Sequence, residues 1–293
     1  MDVLIVGAAG QLGTELRIRS QLRGYNTVAV DRSQLDISDE TSVNELVTRL
    51  KPSVIINAAA YTVVDRAETD IATAYAVNRD GPLNLAKACA SANIPLLHVS
   101  TDYVFDGDKL TPYNEMDTPN PQSVYGKSKY EGEIAVAITL QKQLTLRVSW
   151  VFSATGNNFV RTILRLAKER DELRIVADQT GAPTWAGDIA EVLLTVVDRL
   201  NQNNPIPWGL YHYSGSPSTN WHAFAEGICD QAITLGMLEK KPVIHPISAA
   251  EYPTAAKRPQ NSMLDCAHIL NELGMPQADW VNGLKKVLIA WKG

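Results

Sequence analysis

The chain has 293 residues, 45% of them hydrophobic, with a formal net charge of −5 and a sequence pI near 5.6. That length and apolar content suffice for one large buried core or two closely joined ones. The acidic balance, with no clustered basic face, argues against a nucleic-acid partner, and no run of about 18 apolar residues offers a membrane span.

DVLIV (2–6) is a continuous apolar run, the pattern of a strand buried on both faces. It follows Met1 with no basic leader, which reads as a cytoplasmic rather than a secreted chain. A glycine-rich turn leads into QLGTELRIRSQLRG, helical in spacing and stopped at Gly24. NTVAVD (26–31) reads as a second strand. SDETSVNELVTRLK (38–51) opens on the capping residues Ser38–Thr41 and ends before Pro52. SVIINAAA (53–60) is a third strand, 68–92 one long helix, and IPLLHVST (94–101) a fourth strand. A helix over about 125–141 precedes the fifth strand, LTLRVSW. Strand and helix alternate five times, and right-handed crossovers then force a Rossmann-type, doubly wound parallel α/β sheet. After Trp150 the pattern loosens. Helices over about 157–170 and 187–201 sit among short strands and the proline loops GAPTW, NNPIPWG, SGSPSTN and KRPQNS. The expectation is a sheet domain over 1–152 and a smaller mixed α/β substrate lobe over 153–293, with the chain free to cross back.

VGAAGQLG spaces Gly7, Gly10 and Gly13 as GxxGxxG, one residue longer in its first gap than the usual dinucleotide fingerprint. Gly7 permits the tight turn, Gly10 lets backbone approach a pyrophosphate, and Gly13 lets the helix pack closely. Gln11 and Leu12 open that helix, whose free N–H groups face the phosphates. Asp31 ends the second strand, 18 residues beyond Gly13, where an acid binds adenosine ribose hydroxyls. Arg32 beside it offers a grip on a 2′-phosphate, so the pair leaves NADH and NADPH both open. Asp36 and Ile37 follow on the adenine side. The small residues Ala58, Ala59 and Ala60 close the third strand and let a cofactor lie against backbone, and Ser100 and Thr101 close the fourth.

In SVYGKSKYEG, Tyr125 and Lys129 share one helix face. A phenol ordinarily titrates near about 10. A neighbouring ammonium stabilises the phenolate and brings the group toward useful acid–base range. Thr101 would orient a substrate carbonyl for the pair. Lys127 and Tyr130 are out of register and read as bystanders. Cys89, Cys229 and Cys266 are far apart with no CxxC pairing, which argues against a disulfide framework and for a reducing compartment. The five histidines, at 98, 212, 222, 245 and 268, show no metal spacing. With no GxSxG elbow and no P-loop, hydrolase and kinase readings find no support.

Together GxxGxxG, NAAAYT, STDYVFDG and YGxSKxxGE resemble the extended short-chain dehydrogenase/reductases. Within them NAAAYTxVDxAE, TDYVFDG, YGxSKxxGE and LRVSWVF are most similar to the dTDP-4-dehydrorhamnose reductases, and DQTGAPTW and RPQNSMLD carry the likeness into the C-terminal half. The resemblance implies an oxidoreductase that uses NADPH or NADH to reduce the 4-keto group of dTDP-6-deoxy-L-lyxo-4-hexulose, giving dTDP-L-rhamnose. It implies Tyr125 as proton donor, Lys129 on the nicotinamide ribose and Thr101 on the carbonyl. Thr62, Tyr103 and Trp150 become substrate contacts, Asn78 a support of the cofactor site, and Arg258 offers a guanidinium to the nucleotide diphosphate. Some members dimerise around Mg²⁺ held by acidic residues. Glu15 corresponds to one of these, but without the other ligands no metal is assigned; a homodimer is the assembly so suggested. Two other readings share the pattern: another nucleotide-sugar 4-ketoreductase, such as a dihydrostreptose-type synthase, and an NADP-binding regulatory subunit of the methionine adenosyltransferase type. The intact Thr101, Tyr125 and Lys129 set disfavours the second.

Overall fold

The computed structural model describes residues 1–292. Six strands form one parallel sheet: β1 (Asp2–Val6), β2 (Asn26–Val30), β3 (Val54–Asn57), β4 (Leu96–Thr101), β5 (Gln143–Val148) and β6 (Gly209–Tyr213). Their order is β6-β5-β4-β3-β1-β2. Side chains alternate along each strand, so β1 sends Val3 and Ile5 to one face and Leu4 and Val6 to the other. The first face is covered by α1 (Gln11–Leu22), through Leu12 and Leu16. The second is covered by α2 (Glu40–Leu50), α3 (Gly81–Ala92) and α4 (Val124–Thr139), through Val43, Leu85, Cys89 and Val136. Cover on both faces is why DVLIV and VIIN lack polar alternation. The connection reverses between β1 and β3, and in such sheets ligands bind where the strand ends part at that point.

The smaller lobe has its own core. α5 (Phe159–Glu169) contributes Ile163, and Phe152, Trp185 and Phe224 pack with it. Residues Glu172–Val176 and Val243–Ile247 form a parallel two-stranded ribbon beside it. α6 (Ala186–Asn201) belongs elsewhere: Ile189, Leu193 and Val196 complete the core over the first face of the large sheet. α7 (Trp221–Thr234) packs in the lobe. α8 (Ala267–Leu273) lies beside β6, and α9 (Trp280–Lys292) returns to the lobe with Leu284 and Val287. Cys89, Cys229 and Cys266 are free and buried. Among the described residues no helix is long and apolar enough to cross a membrane.

The chain crosses back from beyond residue 152: α6 and β6 join the large sheet, Tyr213 pairing with Val148 and His212 with Arg147. GLYHY is a short strand that follows a proline loop and carries two tyrosines and a histidine, so it lacks the aliphatic signature of β1 and β3. The long helix expected over 68–92 runs unbroken from Ile71 but is not uniformly α: an α-helical segment at Ile71–Tyr75 passes through a π-helical turn at Ala76–Asp80 directly into α3, and Val64–Ala67 is a separate short α-helical segment. Pro82 has no N–H for the Asn78 carbonyl four residues earlier, and its ring crowds that carbonyl. Widening the preceding turn accommodates both.

The freed Asn78 carbonyl faces α4. A Cβ at Gly132 would stand 2.1 Å from it, and a Cβ at Gly126 2.2 Å from the Tyr103 carbonyl. The two glycines of YGKSKYEG therefore let α4 seat against two backbone carbonyls. Gly132→Ala is expected to cost about 1–3 kcal/mol of stability through this overpacking, read as a lower urea midpoint at unchanged slope.

Candidate active site

The glycine turn is closed by backbone contact. Gly7 has φ +85°, and a Cβ there would lie 2.6 Å from the Ala59 nitrogen. At Gly13 a Cβ would meet the Gly7 carbonyl oxygen at 2.1 Å. Gly10 is the N-cap of α1 and no side chain caps it, so the helix start keeps unpaired N–H groups. Gly10, Gln11 and Leu12 line a cleft of about 1670 Å³, with Ala58 and Ala60 on the adjacent strand end. The Ala59 N–H donates to Asn57 Oδ1 at 3.1 Å, and Asn57 Nδ2 lies 3.1 Å from His98 Nδ1, which shapes that strand end. Asp31 sits at the end of β2 and accepts from the Ser33 N–H (2.8 Å) and hydroxyl (2.6 Å); Arg32 beside it is exposed. Asp36 makes the equivalent turn with Ser38, and the Ile37 side chain is buried against Gly81; neither lines the cleft.

α4 carries Tyr125 and Lys129 into the same cleft. Ser123 caps the helix by accepting from the Gly126 N–H at 3.1 Å, and Glu68 Oε1 accepts from the Val124 N–H at 2.8 Å. Asn78 is fully buried and is no helix-internal bond-maker. Its side chain takes the Tyr61 N–H (2.8 Å), returns a bond to the Tyr61 carbonyl (3.1 Å), and reaches Ser128 Oγ at 3.0 Å. Ser128 Oγ donates in turn to the Tyr125 carbonyl at 2.8 Å. Asn78 thus ties the loop after β3 to the turn of α4 that holds the tyrosine. Tyr103 meets the Tyr125 ring edge-on, centroids 5.4 Å apart, and its N–H donates to the Thr101 hydroxyl at 3.2 Å, which sets Thr101 beside the tyrosine pair. The Thr101 hydroxyl also donates to Asp102 Oδ1 at 3.0 Å. Lys127 is exposed and Tyr130 packs against the sheet core.

Burial dominates the electrostatics here. It pushes the Tyr125 phenol up to about 12, the Thr101 hydroxyl opposing and the Asp102 charge adding to the rise. This is opposite to the lowering by Lys129 that the spacing suggested. The Lys129 ammonium, 1% exposed, donates to the Val99 carbonyl at 2.6 Å and is itself brought down to about 8 by burial, with Glu133 opposing. At neutral pH Tyr125 therefore keeps its proton, the form required of an acid. Burial raises Asp102 to about 6.

The buried histidines give a pH dependence of stability. His212 is brought down to about 3, mainly by burial and then by Arg147, and burial holds His98 well below its ordinary 6.5. Below pH 6.5 the unfolded chain takes up protons that these rings refuse, so stability falls as pH drops through that window. Asp102 acts in the opposite sense between 3.8 and 6. His212→Gln keeps a donor for the Tyr113 carbonyl (3.0 Å) and an acceptor for Arg147. Between pH 7 and 5 the wild type should lose about 1–2 kcal/mol more than this variant, compared by urea unfolding at the two pH values.

Toward the smaller lobe the cleft is lined by Thr62, Tyr103, Trp150 and Arg258. Trp150, at φ +45°, stacks on Trp221 with centroids 3.5 Å apart, and Gly181 lies beneath its ring, where a Cβ would approach to 2.4 Å. Arg258 Nη2 donates to Asp65 Oδ2 at 2.9 Å, and Asp65 Oδ1 accepts from the Ala256 N–H. Asp65 and Glu68 are thus working residues that sequence reasoning left unassigned. Their signal was in NAAAYTVVDRAE, where only Ala58–Ala60 and Thr62 were given roles. Trp221 carried no such signal. Glu15 lies outside the cleft lining and pairs with Arg19 at 3.1 Å, which also reaches Glu191 at 3.4 Å.

A family model described as the RmlD substrate binding domain matches residues 1–292. A dTDP-4-dehydrorhamnose reductase of Aggregatibacter actinomycetemcomitans is 46% identical over 286 residues, covering 97% of each chain. The chain belongs to the dTDP-4-dehydrorhamnose reductase family. Solved reductases of that name share the fold throughout. The Clostridium acetobutylicum structure covers 100% of both chains at 36% identity and a TM-score of 0.93. The Bacillus anthracis one, solved in complex with NADP, covers 99% of each at 36% identity and 0.90. Family membership accounts for the Rossmann-type sheet and for the likeness running through both halves of the chain.

Proposed function

We propose that the protein is an NAD(P)H-dependent oxidoreductase that reduces the 4-keto group of dTDP-6-deoxy-L-lyxo-4-hexulose to give dTDP-L-rhamnose. The observation that carries the reading is the meeting of Thr101, Tyr125 and Lys129 with the glycine turn in one cleft. The turn fits a dinucleotide: it has no room for a Cβ at Gly7 or Gly13, it ends on an uncapped helix start, and it faces the small residues Ala58–Ala60. Asp31 and Arg32, just past β2, would hold the ribose hydroxyls or a 2′-phosphate. When bound, the reduced nicotinamide supplies the hydride. Thr101 orients the ketone oxygen. Tyr125, protonated at neutral pH, gives its proton to that oxygen as charge develops there, because an alkoxide is far more basic than a phenolate. Lys129 presents its ammonium to the nicotinamide ribose and stabilises the phenolate left behind. Thr62, Tyr103 and Trp150 wall the sugar, and Arg258, held by Asp65, faces the diphosphate. Asn78 acts through Tyr61 and Ser128 rather than on the cofactor directly.

The relatives' shared name supports the substrate. The protein with NADPH and dTDP-6-deoxy-L-lyxo-4-hexulose should consume reduced nicotinamide; folded, cofactor-binding protein that leaves the absorbance unchanged would sink the reading. We further read the enzyme as a cytoplasmic homodimer, which sedimentation and fractionation would test.

A further inference from the structure

Behind Tyr125 and Lys129 lies a buried charge pair that the proposed chemistry does not use. Glu133 sits one helical turn beyond Lys129 on α4, and its carboxylate is 7% exposed. Arg147 on β5 reaches it with Nε at 2.9 and 3.2 Å and Nη2 at 2.6 Å, its own side chain 2% exposed. The guanidinium is seated over the Phe105 ring at 5.0 Å, and Nη1 lies 3.4 Å from His212 Nε2. A buried carboxylate four residues from a buried ammonium on one helix face is the natural partner of that ammonium. Here the bonds that Glu133 accepts come from Arg147 instead, and Lys129 donates to the Val99 carbonyl. The other groups around the ammonium supply no charge to hold it: the Tyr125 phenol keeps its proton, and His98 is neutral at the base of the strand.

We propose that Arg147 is a positioning residue for Lys129: by engaging Glu133 with a forked guanidinium it denies that carboxylate to the lysine and keeps the ammonium at the cleft. The inference rests on the reading that Lys129 acts there. It also gives a reason for an arginine rather than a lysine at 147, since only a planar fork satisfies both carboxylate oxygens.

The test is the titration of Lys129 in the full chain, followed by NMR in ¹³C-lysine-labelled protein with the resonance assigned by Lys129→Met. In Arg147→Met the released carboxylate should raise the Lys129 midpoint by about one pH unit or more. In Glu133→Gln/Arg147→Met, where the pair leaves together, the midpoint should return to near the wild-type value. Turnover should follow, with kcat of the single variant down about tenfold or more and the double variant within about threefold of wild type. Should Arg147→Met fail to fold, Arg147→Lys keeps a cation in the core and should give a smaller rise of the same sign. An unmoved midpoint in the single variant, or a double variant as displaced as the single, would overturn the proposal. The titration needs no substrate, so an inactive wild type would count against the reductase reading alone.

Discussion

Tyr125→Phe should lower kcat by about two to four orders of magnitude, the usual worth of a positioned general acid, equivalent to about 3–5 kcal/mol of barrier. The substitution removes one hydroxyl and little else. The ring is 8% exposed and meets Tyr103 edge-on at 5.4 Å, and a phenyl group keeps that packing. The backbone anchor survives as well, because Ser128 Oγ donates to the Tyr125 carbonyl and not to its phenol. Affinity for the reduced nucleotide should therefore stay within a few-fold of wild type, about 1 kcal/mol or less. The split between kcat and binding is the informative part. Binding lost along with turnover would point to a structural role for the tyrosine, and unchanged kcat would remove it as the proton donor. Steady-state kinetics with nucleotide fluorescence titration reads both quantities on one preparation.

The second large effect is expected at Gly13. Its Cα faces the Gly7 carbonyl oxygen so closely that a methyl group would stand 2.1 Å away, with the Ala8 Cα at 2.8 Å. Neither neighbour is a side chain that can turn aside. Gly7 is itself pinned against Ala58 and Ala59, and its N–H donates to the Val30 carbonyl at 2.9 Å. Gly13→Ala must then push α1 off the strand ends. A loss of about 1–3 kcal/mol in stability follows from the overpacking. The start of α1 also moves relative to the turn proposed to hold a pyrophosphate, so nucleotide affinity should fall by about tenfold or more, about 1.4 kcal/mol. Gly10→Ala is the control for stability alone: its Cβ meets only the Gly7 oxygen, at 3.3 Å, so the helix has far less reason to move. Thermal melts of the two variants separate the cases, and isothermal titration with NADPH reads the affinity of Gly13→Ala against wild type. Equal losses of stability at both positions would mean the glycine turn is not closed as described.

What could be read from the sequence, and what could not, divides along range of interaction. The aliphatic strands, the glycine turn and the YxxxK helix are local patterns, and each sits where its pattern put it. Pro82 was visible too, but its effect depends on the carbonyl of Asn78 and on α4 packing against it through Gly132. That is a tertiary arrangement no window of residues displays. β6 was hidden for a related reason: GLYHY becomes a strand by pairing with β5, some 60 residues away in the chain. That Thr101, Tyr125 and Lys129 would meet in one cleft was legible, and the energetics there were not. The four-residue spacing of Tyr125 and Lys129 suggests an ammonium acting on a phenol. The fold instead places both groups in a dry interior, where burial raises the phenol, lowers the lysine and turns its Nζ to the Val99 carbonyl. Asp65 and Glu68 show the same limit. Both lie in a recognisable segment, yet their partners, Arg258 and the Val124 N–H, come from distant parts of the chain.

In the proposed reaction the cleft delivers a hydride to C4 of the sugar and a proton from Tyr125 to its oxygen. Incubation of the protein with dTDP-6-deoxy-L-lyxo-4-hexulose and NADPH deuterated at the transferable position of its nicotinamide, followed by NMR of the product, tests it most directly. The expected product is dTDP-L-rhamnose with deuterium at C4. Recovery of unreacted hexulose from folded, nucleotide-binding protein, or a product without deuterium at C4, would contradict the proposed reaction.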